Sequence, residues 1–453
     1  AEEDKEMEYI WNPDVYYGRY GEYTYVRNVR DRADYLYNEI CFDVLEFIRR
    51  TGHCTLDQLV EHLFGMYEEV SRETLSADMQ VFLNELKEAR IVAENPAAKT
   101  EDEGSIRDFI REICCKEQRL LTVCLELTYR CNEKCIHCYI DDPGAGEGEL
   151  VFAEYKKLLE DIRELGCMGV LLTGGEPLLH KDFFEIAFYA KQIGLMVDIY
   201  TNGLYMNDTM MDRLLELWPN SISFSFYGGN AKDHDSITGV PGSFEKSLKT
   251  MMMCKCSGLD TFIKTVVMKQ NYKGYEELLK LGRRLNIRVM SSLTVMPTHQ
   301  GKPAEAYRLM DLEKYKEILE LEYQYGLHGK NPVEGEREDY ICASGLDALS
   351  VNPWGDIYAC NANPILLGTV RDDDIRTIWK SSRKLQNIRK MKFHQVSGRC
   401  GTCADKNWCG LCMGNALREN HSLKPCSDTC MISRAGHEVY LHHLQGGEAN
   451  EKV

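Results

Sequence analysis

The sequence predicts an α/β protein built on a partial (β/α)6 barrel, with a winged-helix-like domain before it and a cysteine-rich, metal-stabilised domain after it. Three observations carry this. Strand and helix patterns alternate from Leu121 to Leu293; a strand pair and three helical patterns precede that stretch; and eight cysteines crowd the segment after about residue 335.

A chain of 453 residues exceeds the usual size of one domain, so two or three packed units are expected. Hydrophobic residues at 44% and charged residues at 28% fit a soluble globular protein and exclude disorder. No apolar run approaches the ~18 residues of a membrane span. The first twenty residues are acidic and tyrosine-rich, without the basic start and apolar core of a secretion signal, so a cytoplasmic location is expected. The net charge of -17 repels phosphate backbones and anionic lipids, which argues against nucleic acid and membrane as partners. Cytosolic thiols stay reduced, so nineteen cysteines point to metal ligation rather than to disulfides.

Residues 1–95 form the first domain. Val15 to Val26, interrupted by Gly18 and Gly21, reads as strands joined by a tight turn. Helical patterns follow from Asp34 to Arg50, Leu56 to Met66 and Glu73 to Arg90, with Ile40, Val44 and Phe47 on one face. A winged helix suggests DNA, yet residues 1–100 hold 21 acidic and 11 basic side chains, which weighs against it. Packing or dimerisation is the bland alternative. Residues 96–118 are expected as a linker.

The barrel, residues 119–334, draws on six strand candidates: Thr122 to Thr128, Gly169 to Thr173, Met196 to Thr201, Ser221 to Phe226, Thr261 to Met268 and Ile287 to Leu293. Between the first two, Tyr155, Leu158, Leu159, Ile162 and Leu165 make one apolar helical face that stops at Gly166. In residues 335–440 the periodicity weakens, and metal ligation is expected to supply stability there. A polar tail, 441–453, is expected to fray at its end.

The chemistry is carried first by Cys131, Cys135 and Cys138, spaced Cys-x3-Cys-x2-Cys just after the first barrel strand, where active-site loops sit. Three thiolates hold three irons of a four-iron cluster and leave the fourth open, whereas structural zinc wants four protein ligands. With Tyr129, Arg130 and the residues through Tyr139, this segment resembles the radical S-adenosylmethionine (SAM) superfamily. The resemblance implies that the open iron chelates SAM and that one electron cleaves it to a 5'-deoxyadenosyl radical. Thr173-Gly174-Gly175-Glu176-Pro177 is similar to the family's SAM-amine motif, with Glu176 an acceptor for an ammonium. Thr201, Asn202 and Ser225, with Ser223 nearby, match positions near the SAM ribose and carboxylate. Polar residues at strand ends also simply close turns. Two departures stand out: Tyr227 where relatives place aspartate, and Thr238 near the usual arginine. His137, inside the cysteine motif, is read as packing or hydrogen-bonding.

Cys342, Cys360, Cys400, Cys403, Cys409, Cys412, Cys426 and Cys430 form the second constellation, with four residues between Gly355 and Cys360. Eight thiolates match two fully ligated four-iron clusters; a zinc ribbon on Cys400, Cys403, Cys409 and Cys412 is the alternative. The segment resembles a SPASM domain, although only two residues separate Cys409 and Cys412 where the family has three. That resemblance implies Cys342, Cys360 and Cys412 on one cluster and Cys400, Cys403 and Cys409 on the other, with Cys426 and Cys430 completing the sets in an order left open. The other eight cysteines are read as packing, Cys254 and Cys256 among them.

Together the three parts resemble radical SAM/SPASM maturases of ribosomally made peptides with a PqqD-like precursor-recognition domain. The resemblance implies three [4Fe-4S] clusters, SAM, a precursor peptide whose leader adds as a strand to the first domain, and an external electron donor such as flavodoxin or ferredoxin. Tyrosines of Val15 to Val26 are expected to flank the leader groove. The implied reaction is hydrogen abstraction from the peptide, ring closure and loss of an electron to an auxiliary cluster, giving a thioether or a carbon-centred crosslink. Anaerobic sulfatase maturases are the nearest rivals, but they carry aspartate where Asn361 follows Cys360. Peptide epimerases come next, and a non-catalytic iron-sulfur regulator is the alternative of another class. The residues name no general base.

Overall fold

In the computed structural model, residues 8–67, 70–92, 103–141, 148–327, 341–396, 400 and 402–450 are described. The first domain opens with β1 (Glu8–Ile10), β2 (Val15–Tyr20), β3 (Tyr23–Asn28) and β4 (Ala33–Asn38), then α1 (Ile40–Thr51), β5 (His53–Thr55), α2 (Leu56–Phe64) and α3 (Arg72–Glu88). β2, β3 and β4 form an antiparallel sheet, and β1 pairs with β5. The turn sits at Gly21, whose φ of +59° favours glycine. Gly18 stays inside the strand: a Cβ there would meet the Met168 sulfur at 2.6 Å.

Asp34 to Asn38, expected as helix, is strand instead. Tyr35 and Tyr37 alternate with Leu36 and pair with β3, so the helix begins only at Ile40. α2 is started by a capping box in which Thr55 accepts from the Gln58 amide at 3.3 Å. The domain has its own core, including Val26, Val44, Leu45, Ile48, Leu59, Leu63, Leu83 and Leu86.

The expected linker contains α4 (Glu103–Glu117); residues 96–102 of it lie outside the described residues. α4 packs on the other face of the β2–β4 sheet. There Tyr16, Tyr20 and Tyr25 are buried with Ile110, Cys114 and Met168. Tyr17 is buried too, in the domain's own core. These four tyrosines therefore do not flank an open groove; Tyr16, Tyr20 and Tyr25 are the joint between the first domain and the barrel. Within it Arg27 is paired to Asp34 at 2.9 Å, both side chains at most 1% exposed, and its Nε reaches Asn220 of the barrel at 3.4 Å.

The barrel follows as β6 (Thr122–Thr128), α5 (Phe152–Glu164), β7 (Gly169–Gly174), α6 (Phe183–Gln192), β8 (Met196–Thr201), α7 (Asp208–Leu217), β9 (Ser221–Ser225), α8 (Ala231–Thr238), α9 (Ser243–Cys256), β10 (Thr261–Val266), α10 (Tyr275–Leu285), β11 (Arg288–Ser292) and α11 (Leu312–Gln324). All six strands are parallel neighbours, in chain order from β6 to β11. Leu158, Leu159 and Ile162 of α5 are buried as their spacing requires, and Gly166 ends the turn at φ +83°. Cys254 is buried, but Cys256 is exposed and does not belong to the core.

The cysteine-rich segment contains β12 (Ala348–Val351), β13 (Asp356–Tyr358), β14 (Gly368–Thr369), α12 (Ile375–Ser381), α13 (Arg383–Arg389), α14 (Met413–Asn420) and α15 (Thr429–Asn450). β12 lies parallel to β6, so the barrel sheet runs on into nine strands, ending in antiparallel β13 and β14. One apolar core spans both, from Val123 and Leu172 to Leu349, Ile357 and Trp379. The expected polar tail is helical through Asn450, as the end of α15; residues 451–453 lie outside the described residues.

Candidate active site

The loop after β6 is held on two sides. On one, Gly175 and Glu176 donate their amides to the carbonyls of Thr128 and Arg130, at 2.7 and 2.9 Å. A Cβ on Gly174 would lie 2.3 Å from the Thr128 oxygen, and one on Gly175 2.4 Å from the Arg130 oxygen. Both glycines are thus required by the close pass of the cysteine loop itself. On the other side, the amides of Lys134 and Ile136 donate to the carbonyls of Thr238 and Ile237 at the end of α8, at 2.9 and 3.0 Å. Sequence reasoning missed this second strap, because a backbone contact leaves no side-chain signature.

Within the loop, Cys131, Cys135 and Cys138 come together. The amide of Glu133 donates to the Cys131 sulfur at 3.4 Å, Asn202 donates to the same sulfur at 3.7 Å, and the Cys135 thiol donates to Glu133 at 3.3 Å. Burial pushes the Cys131 thiol up to about 12 and raises those of Cys135 and Cys138, and Cys135 also feels Glu133, Cys131 and Cys138. Burial likewise lifts Glu133 to about 7, and its Oε1 is buried without a hydrogen-bond partner. Such a desolvated thiol set becomes ionised when a metal takes the protons' place. His137 has its ring edge-on to Tyr227 at 4.7 Å, and burial lowers it to about 4.

Glu176 is fully buried and braces two strand ends. Its Oε1 accepts from the Thr201 hydroxyl at 2.7 Å and the Leu178 amide at 3.1 Å, and its Oε2 accepts from the Asn202 amide at 2.7 Å. Burial, against these three donors, raises its carboxyl to about 7. Asn202 continues the chain of contacts by donating to Asn132 at 2.6 Å. Gly174, Gly175, Glu176, Thr201 and Asn202 therefore meet at the cysteine loop. Ser225 stands one strand further on, hydrogen-bonded to Tyr227, the residue that replaces the family's aspartate.

The eight C-terminal cysteines separate into two groups. The thiols of Cys342 and Cys412 are raised by burial and by the neighbouring Cys360, and Cys426, pushed up to about 12 by burial, feels Cys412. Cys430, at the start of α15, feels Cys409, Cys400 and Cys403. The order left open by the sequence is thereby read from position: Cys426 sits with the first group and Cys430 with the second. Arg418 grips the Cys360 loop, donating to the carbonyls of Ala362, Asn361 and His299 at 2.7, 3.3 and 2.8 Å.

Both sets and the loop trio fit iron-sulfur clusters better than zinc. Tetrahedral zinc at ~2.3 Å from each sulfur holds the sulfurs about 3.8 Å apart. Among the described residues, the one group of three ligand atoms lying within 4.8 Å of one another contains no cysteine.

Glu126 was not foreseen. It shares a face of β6 with Cys124, opposite the core-facing Leu125, and accepts from Tyr139 at 2.7 Å and Tyr129 at 3.0 Å. It feels Arg418, and Cys124 feels Cys360, so this face lies between the two cysteine systems. Period two on β6 was the available signal.

The chain is similar to known proteins over most of its length. Residues 125–282 match the radical SAM superfamily, and residues 342–404 match the SPASM iron-sulfur cluster-binding domain. The AdoMet-dependent heme synthase of Methanosarcina barkeri is 26% identical over 320 residues, 64% of this chain and 90% of that protein. The antilisterial bacteriocin subtilosin biosynthesis protein AlbA of Bacillus subtilis is 24% identical over 422 residues, 90% of this chain and 91% of its own. In fold, the crystal structure of Streptococcus suis SuiB bound to its precursor peptide SuiA superposes with a TM-score of 0.61 at 16% identity, covering 93% of this chain and 99% of that one.

Proposed function

We propose that this chain, which carries a radical SAM domain and a SPASM iron-sulfur domain, is a maturase that oxidises a ribosomally made precursor peptide and closes a thioether or carbon-centred crosslink. The observation that carries this reading is the extent of the likeness. The heme synthase matches 64% of the chain, whereas the bacteriocin biosynthesis protein matches 90%, and the peptide-bound structure shares the fold over 93%. A peptide substrate accounts for the first domain; a heme precursor does not.

In this reading Cys131, Cys135 and Cys138 hold the SAM cluster; Cys342, Cys360, Cys412 and Cys426 hold one auxiliary [4Fe-4S] cluster, and Cys400, Cys403, Cys409 and Cys430 the other. When bound, the first cluster and SAM supply a one-electron reductive cleavage that yields a 5'-deoxyadenosyl radical. The chain's part is positional. Gly174, Gly175, Glu176, Thr201, Asn202 and Ser225 shape the pocket for SAM, with Glu176 fixing the ends of β7 and β8 relative to the cysteine loop. The Arg418 grip sets the Cys360 loop beside the Glu126 face, close to where an oxidised peptide must shed an electron. An external flavodoxin or ferredoxin supplies reducing electrons.

The leader peptide adds to β4, an edge strand of its sheet, beside α3. Tyr35 and Tyr37 stack at 6.1 Å there, and Tyr37 meets Phe82 of α3 edge-on at 5.7 Å. Tyr37→Ala is expected to weaken binding of a labelled leader peptide in fluorescence anisotropy without changing peptide-free SAM cleavage. Unaltered leader affinity would move the docking site elsewhere.

The deciding experiment incubates the cluster-loaded protein, without oxygen, with SAM, a reductant and a short peptide encoded beside it, and reads the peptide's intact mass. Loss of two hydrogens per modification is expected. Deoxyadenosine release with unchanged mass would favour epimerisation, and no SAM cleavage at all would favour the regulator.

A further inference from the structure

Outside the cysteine systems, α11 and the C-terminal half of α15 bring together Glu320, His442 and His443. The two oxygens of Glu320 face different imidazoles: Oε1 lies 3.1 Å from His442 Nδ1, and Oε2 lies 2.7 Å from His443 Nε2. All three ligand atoms fall within 4.8 Å of one another, and among the described residues no other such group forms. Tyr323, one turn along α11, lies flat on the His443 ring at 4.1 Å and 4° and fixes its orientation. Nothing in the proposed reaction uses this cluster.

We infer that Glu320, His442 and His443 form a binding site for a divalent cation of the zinc class, which staples the end of α15 to the barrel. Two imidazoles and one carboxylate are the ligands that zinc accepts in sites keeping a position for water, and imidazole disfavours magnesium and calcium. The cation takes the places of protons on the facing nitrogens, so binding releases protons and weakens in acid. Its consequence reaches the second auxiliary group. Cys430 lies in the first turn of α15, twelve residues before His442, or about 18 Å along the helix. The helix is also held beside α11 by Glu438 on Lys316 at 3.1 Å, and its His437 meets Asp405 at 2.8 Å and stacks on Trp408 at 3.9 Å.

The test is independent of any peptide chemistry. His442 is 74% exposed in its side chain and Glu320 30%, so His442→Gln and Glu320→Gln are expected to fold and to load iron normally. Cluster-loaded wild type and both variants are dialysed against micromolar zinc sulfate, and bound zinc, iron content and unfolding temperature are measured at pH 7.5. Wild type is expected to hold one more zinc per chain than either variant. By mass action zinc should also raise its unfolding temperature, an effect missing from both variants, with iron equal in all three. Hydrogen exchange over residues 436–444 should slow with zinc in the wild type alone. Equal zinc uptake by the three proteins overturns the inference. So does a wild type whose unfolding temperature zinc leaves unchanged, since plain histidine–glutamate pairs need no cation.

Discussion

The barrel has a neighbour at each end, and the two are attached by different physics. The cysteine-rich segment joins through backbone: β12 pairs with β6, and one apolar core runs through both. The N-terminal domain keeps a core of its own and docks through side chains, with Tyr16, Tyr20 and Tyr25 packed on α4 and a buried Arg27–Asp34 pair at the joint. Strand pairing commits a segment to one register, whereas a side-chain joint leaves two units that can be perturbed separately. The C-terminal cysteines thus share the barrel's rigidity, and the N-terminal domain is the part that can be perturbed by itself.

The largest expected effect sits between these neighbours. Replacing Cys131, Cys135 and Cys138 together by alanine should abolish deoxyadenosine formation while leaving both attachments, and the circular dichroism spectrum, unchanged. Retained SAM cleavage would refute the cysteine assignment. Next, the rigid side can be tested by pairs. Cys342→Ala with Cys426→Ala should cost one cluster, roughly four irons, no more than either alone; Cys342→Ala with Cys430→Ala should cost roughly eight. The reverse pattern in iron analysis would exchange the two completing ligands.

On the other side, Arg27→Leu leaves Asp34 buried without its cation, a loss of about 3–5 kcal/mol. Denaturant unfolding should then show the N-terminal domain melting before the barrel; a single unshifted transition would mean the joint is not the weak link. The smallest effect belongs to Glu176. Its carboxyl is raised from 4.5 to about 7 by burial, so the folded state binds the proton more tightly than the unfolded state does. Its contribution to stability is present below pH 4.5 and is lost as pH rises through 7, by about 3 kcal/mol. In Glu176→Gln that fall should vanish, while an amide facing the Asn202 or Leu178 N–H costs about 1–3 kcal/mol at every pH. Urea midpoints at pH 5 and 7.5 separate the two terms.

The first domain shows where local reading fails. Asp34 to Asn38 carries residues compatible with the helix that follows, and only the pairing partner, β3, makes it a strand. The tyrosines of β2 and β3 look like a binding surface in sequence because amphipathic side chains serve open grooves and buried joints alike; Met168 and α4 decide between them. Cys254 and Cys256 read alike, two residues apart on one helix, yet a 200° turn buries one and exposes the other.

By itself the sequence determined what depends on spacing along one chain: the six barrel strands, the cysteine loop after the first, the glycine pair and the eight-cysteine extension, since ligand spacing and period-two or period-3.6 patterns are local. What it left to the tertiary structure are meetings of distant segments. These are the straps from α8 and β7 onto the cysteine loop, the engagement of both Glu176 oxygens, the partition of Cys426 and Cys430, and the pairing of β12 with β6. Each is a meeting, through a hydrogen bond or close approach, of residues far apart in the chain, which no local pattern encodes.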